Sequence, residues 1–179
     1  MKLAQGQKAP LFIVKDIFGN TIDFNNIENK KIVLSFFRYA ECPMCNLQIA
    51  KIMQQKENFE KHNLKLITVF ESSAESLKAS IYDRHAFNFT IIADINRELY
   101  ELYGVHPSWL HTINTFSLKT ILNLKEAFKK GFEIMGRIEG TINQIPADFI
   151  INEDKTILMA HYGNSIIDHL SLEKIFKSV

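Results

Sequence analysis

A chain of 179 residues with 46% apolar and 23% charged side chains has the size and composition of one folded domain with a sizeable core, which excludes wholesale disorder. Its formal net charge of +1 gives no strong long-range pull on nucleic acid or anionic lipid, so neither is expected as a partner. No run approaches the ~18 uninterrupted apolar residues of a membrane span, and "MKLAQGQKAP" lacks the apolar core of a secretory signal, so a cytoplasmic location is expected.

In chain order, "LFIVKDIFGNTIDF" predicts two short strands around a turn at Phe18, Gly19 and Asn20, where Gly and Asn tolerate positive φ. "KIVLSFF" (31–37) is a run suited to a strand buried on both faces. The period then changes: Cys45, Ile49, Ile52, Met53 and Phe59 share one side of a helix, with Lys56 the single charge on that stripe. "LKLITVF" (64–70) predicts a second buried strand. Ser72 with Glu75 forms a capping box that opens a helix running to about Arg84.

"TIIA" (90–93) predicts a third strand, and Asp94 caps a helix carrying Ile95, Leu99, Leu102 and Tyr103 that stops at Gly104. "FSLKTILNLKEAFKKGF" is expected to be helical after a loop-like "HPSWLHTIN". "PADFIIN" and "TILMAHY" predict a strand pair around 152–155, and "SLEKIFKSV" a closing amphipathic helix. Strands alternating with helices, and a hairpin near the end, indicate a single α/β domain over residues 1–179, its mostly parallel sheet edged by antiparallel strands.

The two cysteines, Cys42 and Cys45, lie in "FFRYAECPMCNLQI". Cys42 follows a buried strand and opens a helix, with Pro43 at the first helical position, where its missing N–H costs nothing. Free N–H groups and the helix dipole at that end stabilise a thiolate, which makes Cys42 the reactive sulfur. Cys45 lies one turn on, ~5–6 Å away between Cα atoms, within the range a disulfide bridges. Arg38, four residues before Cys42, lowers the thiol pKa further if it approaches, whereas Glu41 opposes it.

Two other readings stand beside redox chemistry. Structural zinc requires four ligands, but there is no second Cys pair, and His106 and His111 are far from a finger spacing, so no metal or other cofactor is expected. Two inert core thiols would leave the strand–Cys-Pro-x-Cys–helix arrangement unexplained. The redox reading makes a demand of its own: a Cys42 sulfur sealed in the interior, or turned from its mate with no helix starting there, would undo it. His85, His161 and His169 are scattered and receive no role.

These pieces resemble the thioredoxin superfamily, and more closely the peroxiredoxin-like branch of the alkyl hydroperoxide reductase/thiol-specific antioxidant family. "GQKAPLFIVKDIFGNTIDF" is similar to that family's opening hairpin, and "KIVLSFFRYAECPMCNLQI" to its strand, active-site turn and helix, with an Arg four residues before the first Cys. "IADINRELYELYGV" resembles its Asp-capped helix and "IPADFIINEDKTILMAHYG" its last hairpin. Residues 106–136 match least and are expected to be a helical insertion.

The resemblance implies a thioredoxin-like fold: a central mixed sheet flanked by helices, an N-terminal hairpin and a helical insertion before the last hairpin. It also has departures. Ser35 and Tyr39 stand where the family places a Pro and a Thr or Ser before the peroxide-attacking Cys, which leaves the Tyr39 phenol as the group to orient peroxide. Pro146 replaces a family Arg and falls where thioredoxins hold a cis-proline against the Cys pair, so a cis Ile145–Pro146 bond is implied, beside the plainer reading of a Pro that starts an edge strand.

The first functional reading is a thiol peroxidase that reduces hydrogen peroxide or organic hydroperoxides. Cys42 attacks, Arg38 supports the developing charge, Cys45 resolves the sulfenic acid, and a thioredoxin-like or glutaredoxin-like dithiol restores the pair. The alternative is a thiol–disulfide oxidoreductase with a substrate groove beside Pro146. A third class is a redox sensor or interaction module, in which Trp109, Phe116, Phe128 and Phe132 of the insertion form a partner or homodimer surface. A lid over the core is the plainer role for those aromatics, and a solvated helix face the plainer one for Lys125, Lys129 and Lys130, which Glu126 and Glu133 interrupt.

Overall fold

The computed structural model describes residues 1–113, 118–132 and 138–179. The N-terminal hairpin forms as expected from β1 (Ile13–Lys15) and β2 (Thr21–Asp23), paired antiparallel. Its turn has Gly19 at φ 87°, and the Asp16 side chain accepts from the Phe18 and Asn20 N–H groups.

The main sheet comprises β3 (Lys31–Phe36), β4 (Leu64–Phe70), β5 (Thr90–Ala93), β6 (Ala147–Ile151) and β7 (Ile157–Tyr162), in the order β5-β4-β3-β6-β7. Strands β5, β4 and β3 run parallel; β6 pairs antiparallel with β3 and with β7. Alternate residues of the central strands feed two apolar clusters on opposite faces. Val33, Phe37, Leu66 and Phe70 join one, and Ile32, Leu34, Phe36, Ile67 and Val69 the other. This is the two-sided burial that the unbroken apolar runs predict.

Helix α1 (Pro43–Met53) begins where expected, but the stripe that reads as one helix is divided: the chain leaves the helix at Gln54 and Gln55 and resumes as α2 (Lys56–Lys61). Ile49, Ile52 and Phe59 still bury the same face, so the break is in phase with the apolar pattern. The next helix starts one residue later than the capping-box reading, with Ser73 as cap of α3 (Ala74–Leu77), and it continues as a π-helical run, Lys78–Asp83. Ser72 is engaged elsewhere, its hydroxyl accepting from Ala40 N–H at 3.0 Å.

Helix α4 (Glu98–Leu102) starts later than expected, after Arg97 at φ 64°, and Ile95 is exposed ahead of it. Asp94 nonetheless serves the helix start, its carboxylate accepting from the N–H groups of Glu98, Leu99 and Tyr100. The segment read as a loop contains α5 (Trp109–Ile113), and α6 (Leu118–Lys129) lies within the expected helical stretch and packs against α1. Ala127 and Phe132 point inward, while Trp109 and Phe128 are exposed. Lys125, Lys129 and Lys130 are exposed, Lys130 pairing with Glu126, as a solvated face requires. Phe116 and Glu133 lie outside the described residues. Helix α7 (Leu172–Lys177) closes the chain, capped by Ser171.

Asp94→Ala removes the acceptor of three helix-start N–H groups and should lower stability by about 1–2 kcal/mol, measured by urea denaturation, with the midpoint moved and the slope unchanged.

Candidate active site

At the end of β3 the chain turns sharply into α1. The Cys42 N–H donates to the Tyr39 carbonyl at 3.1 Å, and Cys42 takes the extended conformation of a helix cap (φ −68°, ψ 117°) with Pro43 following. Its sulfur replaces the oxygen of an ordinary cap, accepting from the Cys45 N–H at 3.4 Å. Arg38 Nη1 lies 3.5 Å from the same sulfur.

Burial pushes the Cys42 thiol up, but other forces outweigh it. The Cys45 thiol donates to the sulfur, the Arg38 guanidinium lies beside it, and the Cys45 and Met44 N–H groups point at it, so the thiol ends at about 6. Burial, and then the bond to and charge of Cys42, drive the Cys45 thiol well above its ordinary value, with Arg38 a partial offset. One sulfur is thus held ionised and its neighbour protonated, the division expected of an attacking and a resolving thiol.

The turn is braced by a residue the sequence reading passed over. Asn46, wholly buried, donates to the carbonyls of Ala40 (2.7 Å) and Cys42 (3.1 Å), while its own oxygen receives Arg84 (3.2 Å) and His85 Nε2 (2.9 Å). Its signal is a polar side chain four residues after a helix cap, on the face otherwise apolar. A second missed group is Asp148 on β6. This buried carboxylate accepts from Leu170 N–H at 2.7 Å, meets His169 Nδ1 at 3.1 Å and is bonded by the Ser35 side chain.

The structure brings Arg38, Tyr39, Cys42 and Cys45 together. The Tyr39 ring lies under the Arg38 guanidinium at 5.1 Å, but its phenol makes no hydrogen bond to the Cys42 sulfur. Burial, and then the Cys42 charge, push that phenol up. Pro146 borders a cleft of about 190 Å³ with Lys2, Gly104, His106 and Tyr162, and it precedes Ala147, which pairs with Phe36 at the end of β3. The implied cis bond is corrected as well, for Ile145–Pro146 is trans. Pro146 leads straight into extended β6, its carbonyl accepting from Gly163 N–H at 2.9 Å. No cluster of His, Cys, Asp or Glu among the described residues fits a metal ion.

Cys42 is 0% and Cys45 2% exposed, so the sulfur lies sealed, the condition that undoes the redox reading for this closed state; its orientation toward its mate and the helix start are as required. Residues 139–144 form a strap fastened by polar bonds beside the turn. Arg38 Nη2 donates to the Ile142 carbonyl, the Thr141 hydroxyl donates to Glu71 at 2.7 Å, and Glu139 accepts from the N–H and hydroxyl of Ser73, each at 3.0 Å. Gly140 lies flat against this surface: a Cβ there would meet the Glu71 carbonyl oxygen at 2.7 Å and the Tyr39 Cβ at 3.1 Å. A redox role requires this closed arrangement to open.

Accordingly, native Cys42 should react with iodoacetamide faster than global unfolding allows. Gly140→Ala, by overpacking the closed strap, should speed that reaction about tenfold or more; alkylation no faster than unfolding would leave two inert thiols. Burial and the Arg84 charge hold His85 at about 4, against 6.5 for a free side chain. Because the folded value is depressed, this stabilisation is fully present above pH ~6.5 and is lost as pH falls through about 4. His85→Gln should flatten the decline in denaturation midpoint between pH 7 and 4.

A model of the AhpC/TSA family matches residues 5–160. A protein of Mycobacterium tuberculosis with a peroxiredoxin name is 22% identical over 170 residues, covering 95% of this chain and 92% of its own length. The thiol-disulfide oxidoreductase ResA of Halalkalibacterium halodurans is 24% identical over 102 residues, 57% of each chain. Among solved structures, the peroxidoxin BcpB from Mycobacterium tuberculosis superposes with a TM-score of 0.70 at 13% identity, covering 98% of this chain and 96% of that one. The likeness in structure is one of fold: a thioredoxin-like mixed sheet flanked by helices.

Proposed function

Because the chain belongs to the AhpC/TSA family, we infer that this oxidoreductase is a thiol-dependent peroxidase with Cys42 as its peroxide-attacking thiolate and Cys45 as its resolving thiol. The observation that carries the reading is the setting of the Cys42 sulfur, which accepts from the Cys45 N–H at 3.4 Å and lies 3.5 Å from Arg38 Nη1, so that its thiol is held below the ordinary value while burial keeps Cys45 protonated.

The Cys42 thiolate attacks one oxygen of a hydroperoxide. The O–O bond breaks, the other oxygen leaves as water or an alcohol after taking a proton, and Cys42 becomes a sulfenic acid. Arg38 is placed to offset the charge that develops on the leaving oxygen, and its Nε is buried with no hydrogen-bond partner among the described residues. Cys45 then displaces hydroxide from the Cys42 sulfur to form the disulfide, and a thioredoxin-like or glutaredoxin-like dithiol returns both thiols by exchange.

Hydroperoxide consumption with a dithiol reductant should fall to background in Cys42→Ser, whereas Cys45→Ser should complete one turnover and accumulate sulfenic acid. Arg38→Met should slow the first step about a hundredfold and raise the pH midpoint of thiolate absorbance. Peroxide consumption that survives Cys42→Ser would refute the reading, and insulin reduction without peroxide turnover would transfer it to disulfide exchange.

A further inference from the structure

Resolution places a demand on Cys45 that the cysteine pair does not meet by itself. Its thiol must lose a proton to attack, yet it is buried, and burial is the largest force holding that proton in place. A base is required nearby, and it cannot be Cys42, which no longer carries a thiolate once oxidised.

Cys45 borders a narrow crevice of about 20 Å³ whose other walls include Met44, Gln48, Lys51, Asn123 and His169; this is room for about one water molecule. His169 enters it with a fixed orientation. Nδ1 faces the Asp148 carboxylate at 3.1 Å, the ring lies 4.5 Å from that of Phe37, and the side chain is 8% exposed. With Nδ1 turned to the carboxylate, Nε2 is the ring nitrogen left without a hydrogen-bond partner among the described residues. Asp148 is itself fixed by the Leu170 N–H and by Ser35, its neighbour in register on β3. Burying such a pair is costly, and apolar residues of equal volume often serve stability as well or better.

We propose that His169, oriented by Asp148, is the base that takes the Cys45 proton when that thiol closes onto oxidised Cys42. The proposal rests on the resolving-pair reading above. As the S–H proton passes to Nε2, directly or through one water, the Cys45 sulfur attacks the sulfur of the Cys42 sulfenic acid. The S–S bond forms and the S–O bond breaks; hydroxide departs and is protonated to water, and the imidazolium returns its proton to solvent. The net change is thiol plus sulfenic acid to disulfide plus water, with Cys45 oxidised and the sulfenic acid reduced. His169 is a catalytic residue for this step and Asp148 a positioning residue.

The test follows the full chain after one equivalent of hydrogen peroxide, with Cys42 sulfenic acid trapped by dimedone at timed intervals and the Cys42–Cys45 bridge detected by mass. His169→Gln, and independently His169→Asn, which keeps a donor for Asp148, should slow bridge formation about a hundredfold and raise the dimedone-trapped fraction. The rate of the first oxidation and the thiolate midpoint of Cys42 should stay at wild-type values, a split that a general loosening of the fold would not produce. Bridge formation at the wild-type rate in either folded variant overturns the role of His169 alone. A wild-type protein that forms no bridge overturns the resolving-pair reading, and this inference with it.

Discussion

A buried sulfur kept ionised by donors at the start of a helix is the constraint around which the rest of this molecule is arranged. Burial alone favours a neutral thiol. Here the balance is reversed by Arg38, by the Cys45 thiol and by two backbone N–H groups that α1 leaves unpaired at its first turn. Each donor depends on a different part of the fold. β3 delivers Arg38, the helix supplies the amides, and Asn46 clamps the carbonyls of Ala40 and Cys42 so that the turn between strand and helix keeps its shape. The sheet matters to the chemistry because it fixes where β3 ends and α1 begins.

The second organising feature is closure. The sulfur has no exposed surface in this closed state, so ionisation of Cys42 by itself does not make it accessible. Arg38 takes part in both, since one of its terminal nitrogens faces the sulfur and the other holds the Ile142 carbonyl. Ionisation and closure therefore pull on one guanidinium.

Much of this was legible in the sequence where the information is local. The unbroken apolar run of β3, the turn at Gly19 and the Cys-Pro opening of α1 follow from pattern and backbone preference within a few residues. The division of α1 from α2 escaped because Phe59 returns to the buried face in phase across the break, so periodicity carries no trace of it. The shifted starts of α3 and α4 have a different cause: Ser72 is claimed by Ala40 across the site, and Arg97 adopts a left-handed conformation that no local rule favours for arginine. The Asp148–His169 pair spans 21 residues and is assembled by strand register and a C-terminal loop. The Ile145–Pro146 bond, implied as cis by resemblance, is trans.

Glu71 carries a consequence that crosses the molecule. This nearly buried carboxylate grips Arg97 at 2.6 Å on one side and the Thr141 hydroxyl at 2.7 Å on the other. Arg97 sits at φ 64°, a conformation that costs a non-glycine residue about 1–3 kcal/mol and persists only under external support. The entry to α4 and the strap thus share one of their anchors. Any rearrangement that draws the carboxylate toward one of them slackens its hold on the other, so the strap answers to strain at the start of α4.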